Sequence, residues 1–279
     1  MHKLKMKSIM KSIIGLIKTK NIQPIPTQIN TTEILKGKVA LITGGSGGIG
    51  MAIAESFLKN GAKVIIAGTS ESKLENVKKK LGDHAGLQSM VIDVSDINAL
   101  SNKVEEASAL FGHIDILVNS AGINSFTDFL EVSENEYDRI MGVNEKGTFF
   151  MSQAIARYMI ENDIKGHILN VTSSSALRPA KTPYHMSKWA VRGLTLGMAD
   201  RLLKEGIIVN AIAPGPVATE MLGKHEGDSI YKEGQPSGRY AMPSEIANLA
   251  VMLVSDMGNL VVGDTLYATG GSGVISLHN

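Results

Sequence analysis

The chain has 279 residues, 43% of them apolar and 20% charged, enough to bury a sizeable core as one large α/β domain or two small ones. It contains no cysteine, which excludes disulfides, iron–sulfur clusters and thiolate zinc sites, and its seven histidines show no close pairing, so no metal is expected. The formal net charge of +1 is uneven: residues 1–36 hold seven lysines against one acid, Glu33, and the mildly acidic remainder argues against a nucleic-acid partner.

In chain order, "MHKLKMKSIMKSIIGLIKTK" places Met6, Ile9, Met10, Ile13, Ile14 and Ile17 at helical spacing among lysines. This arm is too short and too interrupted to span a bilayer. It reads as a basic amphipathic helix on a membrane surface or a neighbouring subunit, as a targeting segment, or as an extension with no role. Residues 21–36, with two prolines, read as a linker into the domain that occupies 37–279.

From Lys38 the periods alternate. Strands are expected at 38–43, 62–67, 87–93, 114–119, 167–171, 207–213 and 264–268, most of them apolar on both faces. Helices are expected at 48–59, 71–81, 96–111, 134–160, 184–204 and 244–255. Ser133 with Glu136 reads as a capping box. Lys78, Lys79 and Lys80 before Gly82 read as a helix C-terminus. Strands joined by crossover helices predict a single α/β, doubly wound Rossmann-type domain, a seven-stranded parallel sheet with helices on both faces. A ligand in such a sheet sits beyond the C-terminal strand ends.

"TGGSGGIG" (43–50) joins the first strand to the first helix. Gly44, Gly48 and Gly50 let the backbone turn tightly and approach a pyrophosphate, and the helix N-terminus offers free N–H groups to it. That predicts dinucleotide binding. An acid at the end of the second strand would grip the ribose of NAD, but "AGTS" puts Gly68 there. Thr69 and Ser70 can donate to a 2′-phosphate instead, so NADP is the expected cofactor, with NAD as the alternative.

Tyr184 and Lys188, in "YHMSK", share one helical face about one turn apart. The spacing alone does not separate an ordinary amphipathic pair from a functional one. Together with the glycine loop, "DV" (Asp93, Val94), "NSAG" (119–122), "VNEKG" with Asn144, "NVTSSS" and "APGPVAT" (213–219), the sequence resembles the short-chain dehydrogenase/reductase family over roughly residues 36–275. Ser120 departs from the family's usual asparagine.

The resemblance implies hydride transfer between a nicotinamide and a carbonyl or carbinol carbon. Tyr184 is then the general acid or base, Lys188 tunes it and holds the nicotinamide ribose, and Asn144 positions a water. Ser173 holds the substrate oxygen, with Ser175 as the main competitor and Ser174 between them. The resemblance carries cofactor contacts onto Gly44, Ser46, Gly48, Ile49, Gly50, Asp93, Val94, Asn119, Gly122, Tyr184, Lys188, Pro214, Gly215, Val217 and Thr219. Asp93 also fits a helix-start role. A phenol has a pKa of about 10, and the neighbouring ammonium is expected to lower it.

A small-molecule substrate is expected, a sugar acid or polyol. The competing substrate is a 3-oxoacyl group on an acidic carrier protein, for which Lys165 and Lys204 offer little attraction beside Glu161, Asp163 and Glu205. A reading of another class is a non-catalytic NADP(H) sensor or scaffold. Residues 221–240 are expected to form a substrate lid, in which Lys224, His225 and Arg239 either meet an anionic group or stay solvated. His185 faces the pocket or packs sideways. A cytoplasmic homotetramer built on helices 134–160 and 184–204 completes the expectation.

Overall fold

The computed structural model describes residues 33–225 and 227–275, so the reading of the N-terminal arm as an amphipathic helix lies outside the described residues. Seven strands form one sheet: β1 (Val39–Thr43), β2 (Lys63–Gly68), β3 (Leu87–Val91), β4 (Ile116–Asn119), β5 (His167–Val171), β6 (Ile208–Pro214) and β7 (Thr265–Ala268). Their spatial order is β3-β2-β1-β4-β5-β6-β7, and all six pairings are parallel. The order reverses between β1 and β4, where Thr43 stands opposite Asn119. That reversal opens a crevice at the C-terminal strand ends, where a doubly wound sheet binds its ligand.

Alternation along the strands divides the core. Ala40 and Ile42 of β1 and Val64 and Ile66 of β2 face α1 (Gly48–Lys59), α2 (Glu71–Lys80) and α7 (Pro243–Val254). Val39 and Leu41 face the other way, onto α3 (Leu100–Phe111), α5 (Thr148–Glu161) and α6 (Pro183–Leu202). The central strands β1 and β5 are buried throughout. Edge strands β3 and β7, with one neighbour each, are only partly covered.

Three local readings change. The helix expected over 134–160 is α4 (Glu134–Met141), a π-helical turn at Gly142–Gly147, and then α5. The capping box is half formed: Ser133 Oγ accepts from Glu136 N at 3.2 Å. The Glu136 carboxylate accepts from Ser125 and Thr127 instead, at 2.8–2.9 Å, tying α4 to the loop after β4. Leu35, placed in the linker by its composition, is fully buried, and its N–H donates to Asn60 O. Among the described residues no helix is long and apolar enough to cross a membrane.

Candidate active site

The loop after β1 is shaped by what a side chain would strike. Gly44 adopts φ +65°, and a Cβ there would lie 2.7 Å from the Ala121 backbone. A Cβ at Gly50 would lie 2.3 Å from Gly44 O, and one at Gly48 2.6 Å from Thr219 Cγ2. The N-cap of α1 is Gly47, with no side-chain cap and no acid in the first turn. Its N–H groups are therefore left for an anion. This cradle, pinched by backbone on one side and Thr219 on the other, fits a dinucleotide pyrophosphate. Ile49 is half-buried at the same helix start.

Around the cradle, Gly215 packs so closely on β7 that a Cβ would lie 2.4 Å from Thr269 O. Pro214 ends β6 opposite Ala268, and Val217 is buried and bridged to Ala241. At the end of β2, a Cβ on Gly68 would lie 3.2 Å from Ser46 Oγ. Ser70 caps α2, accepting from Lys73 N at 3.4 Å, and Thr69 is exposed beside it. No carboxylate stands at this strand end. Asp93 Oδ1 accepts from Ser95 N and Oγ at 2.9 and 2.7 Å, which braces the turn after β3. Val94 is buried against the π-helical turn at Gly147.

Asn119 turns its amide into the sheet, donating to Ser152 Oγ at 2.8 Å and Asn170 Oδ1 at 2.9 Å. Its Nδ2 thus belongs to a buried polar network, while among the described residues its Oδ1 carries no such bond.

The polar centre lies across the crevice. Thr182 caps α6 by accepting from His185 N at 3.3 Å, with Pro183 as the first helical residue. Tyr184 and Lys188 follow one turn apart, and Lys188 Nζ lies 5.6 Å from the phenol ring centre. The buried ammonium donates to Val171 O at 3.0 Å, and the Lys188 carbonyl accepts from Thr172 Oγ1 at 2.8 Å. Among the three serines, Ser173 is the one whose side chain acts on the Tyr184 phenol, lowering its pKa against the effect of burial. Ser173 Oγ also accepts from Ser175 N at 3.1 Å and lies 3.2 Å from Ser175 Oγ.

Asn144 occupies the π-helical turn. Its Oδ1 accepts from Ile123 N at 2.8 Å, and its Nδ2 donates to Ile123 O and to Ser187 Oγ. A Cβ on Gly122 would lie 3.4 Å from Asn144 Oδ1 and 3.6 Å from Lys188 Nζ, so these three residues converge. A single π turn at such a place is a common way to aim one polar residue out of a helix.

The electrostatics correct one expectation. Burial pushes the Tyr184 phenol above its usual value, opposed by the Ser173 hydrogen bond, rather than the ammonium pulling it down. Burial also depresses Lys188 to about 8, and one of its three N–H donors goes to the Val171 carbonyl. The His185 ring meets Tyr184 edge-on at 6.0 Å and bonds Thr182 Oγ1 through Nδ1 at 2.6 Å.

The cations of residues 221–240, expected to form a lid, are mostly engaged. Arg239 forks onto Glu245 with two bonds of 2.7 Å, so it is not free for an anionic ligand as its sequence position suggested. Lys224 donates to Ser229 O and, with Lys232, sits over the Tyr240 ring. The His225 backbone N–H donates to Asp228 Oδ2 at 2.8 Å, a bond that leaves its ring uninvolved. Arg178 and Lys181 stand on the loop between Ser173 and Tyr184, within a stretch from Ile164 to Ala199 that contains no acid.

A dinucleotide cradle facing a phenol and an ammonium on one helix defines an oxidoreductase that works with a pyridine nucleotide. Residues 38–229 match the family model described as short chain dehydrogenase, and the chain belongs to the short-chain dehydrogenase/reductase family. It is 37% identical over 249 residues to 2-dehydro-3-deoxy-D-gluconate 5-dehydrogenase of Dickeya dadantii, covering 87% of this chain and 98% of that one. It is 33% identical to a 3-oxoacyl-[acyl-carrier-protein] reductase of Aquifex aeolicus, covering 85% and 98%. The crystal structure of 3-ketoacyl-(acyl-carrier-protein) reductase from Brucella melitensis, complexed with NADH, superimposes with a TM-score of 0.78 at 33% identity, covering 86% and 100%.

Proposed function

We propose that the protein interconverts a ketone and a secondary alcohol on a small polyhydroxy acid, with NADP(H) as its preferred cofactor. The convergence of Tyr184, Ser173 and Lys188 beside the glycine cradle carries this reading. The nicotinamide supplies or accepts the hydride at the reacting carbon. Ser173 donates a hydrogen bond to the substrate oxygen. In reduction Tyr184 Oη gives its proton to that oxygen, and in oxidation it takes the proton back. Lys188 restores charge balance beside the phenol and binds the ribose hydroxyls. Asn144 keeps the floor of the site rigid and lines the proton route to Lys188.

One observation favours a free acid over a carrier-bound substrate: the Dickeya relative is named for a sugar-acid substrate. The absence of a carboxylate at Gly68, with Ser46, Thr69 and Ser70 around it, supports NADP(H). The family likeness and the exposed apolar residues on α5 and α6 support a homotetramer.

The test is a panel of keto acids, neutral ketoses and 3-oxoacyl thioesters with NADPH and NADH. Keto sugar acids with NADPH should give the highest kcat/KM. A higher value for a carrier-bound 3-oxoacyl thioester would transfer the assignment to that substrate.

A further inference from the structure

We infer that Arg178 and Lys181, on the loop between Ser173 and Tyr184, form the anchor for the substrate's carboxylate, an inference that rests on the polyhydroxy-acid reading above. An anionic substrate entering this crevice has two sets of cations to meet. The lid set is engaged: Arg239 is neutralised by Glu245, and Lys224 and Lys232 are stacked on Tyr240. The loop set is not. Among the described residues no carboxylate pairs with Arg178 or Lys181, and the segment from Ile164 to Ala199 contains no acid.

The Arg178 side chain is held in place. Trp189 Nε1 donates to Arg178 O at 2.9 Å, fixing the loop backbone to α6. One guanidinium nitrogen, Nη2, bonds Ser272 Oγ. A Cβ on Gly273 would lie 3.0 Å from Arg178 Nε and 3.5 Å from Ser174 O, so the guanidinium stem lies beside the turn that begins at Ser173. An arginine tethered through one nitrogen keeps donors for a carboxylate in a fixed plane, with less side-chain entropy left to lose on binding.

Lys181 stands three residues further along the same loop. It lines a groove of about 330 Å³ with Thr182, Pro183, Met186 and Tyr137, at the turn of α6 that carries Tyr184. Glu134 is the one acid in that lining. Both cations are near enough to His185 to depress it, adding to burial, so that ring stays neutral and can donate or accept rather than compete for the anion.

The test is calorimetric titration of the full-length protein loaded with NADPH, using D-gluconate and its uncharged counterpart D-glucitol. Wild type should bind gluconate at least about tenfold more tightly, as charge-assisted bonds to one carboxylate require. Arg178→Ala and Lys181→Ala should each bring that ratio toward one, and Arg178→Lys should restore part of it. Lys181 is exposed, so its variant keeps the inference testable if the Arg178 variants fold poorly. Equal affinities in wild type, or a ratio untouched by both alanine variants, would overturn the anchor. If 4′-phosphopantetheine binds more tightly than gluconate with the same dependence on Arg178, the anion is a phosphate and the carboxylate assignment falls. Failure of the substrate reading is separate: it appears as absent turnover of keto acids, whatever gluconate does in the calorimeter.

Discussion

In the proposed reduction Tyr184 must hold its proton until it is transferred, and burial, which raises its pKa, favours that. The ammonium beside it is the more fragile partner. Burial lowers Lys188 to about 8, so the cation is present below that pH and is lost as pH rises through it. For reduction, kcat/KM should therefore be level near neutrality and decline above about pH 8, long before free tyrosine would titrate. A profile that stays flat to pH 10 would remove Lys188 from this role. Tyr184→Phe should cut turnover by about 10²–10⁴-fold, the usual worth of a positioned acid, while changing NADPH affinity little. Stopped-flow turnover and fluorescence titration of the same preparation separate the two effects.

At the scale of elements, the fold and the arrangement of the candidate site were largely legible because they depend on short-range rules. The parallel strands are apolar on both faces, and the glycine loop sits between a strand and a helix. What was not legible depends on contacts that periodicity does not mark, some distant in sequence and some near. The π turn at Gly142–Gly147 aims Asn144 at the Ile123 backbone, 21 residues away, and helical periodicity carries no mark of it. The Arg239–Glu245 fork closes across a loop, so a charge that looked free is spent. Which of three serines reaches the phenol depends on β5 stopping at Val171 and a 3₁₀ turn starting at Ser174. The end of β2 was readable from one missing side chain, and it yields a prediction. Gly68→Asp would set a carboxylate beside Ser46 and against a 2′-phosphate. It should lower kcat/KM for NADPH by roughly 100-fold while sparing NADH, since like charges at that range cost several kcal/mol. Equal losses for both cofactors would show that Gly68 serves packing alone.

For the whole molecule, stability and assembly follow from groups far from the chemistry. His167 begins β5 at the opposite end of the sheet, is 8% exposed, and its Nε2 has no partner among the described residues. Burial lowers it from 6.5 to about 4. The neutral ring is therefore the folded form, and the unfolded chain binds the extra proton first. Stability should fall as pH drops from about 6.5 to 4, by about 3 kcal/mol from this group alone. His167→Phe should flatten that part of the melting-temperature profile, and an unchanged slope would mean another group controls acid unfolding.

The face formed by α5 and α6 leaves Phe149, Ile160, Met186, Trp189 and Leu196 exposed, the last at 63%. Apolar residues repeated along two adjacent helices are a costly surface for a monomer and an ordinary one for an oligomer interface. Helix α6 also carries Tyr184 and Lys188 and holds Arg178 through Trp189, so packing a second copy on this face would stiffen the helix that bears the proposed reactive groups. Light scattering after size exclusion should show a tetramer. Leu196→Lys, far along the helix from Tyr184, should shift it toward smaller species and lower kcat together with assembly. A wild-type monomer with full activity would leave this apolar face without the role assigned to it.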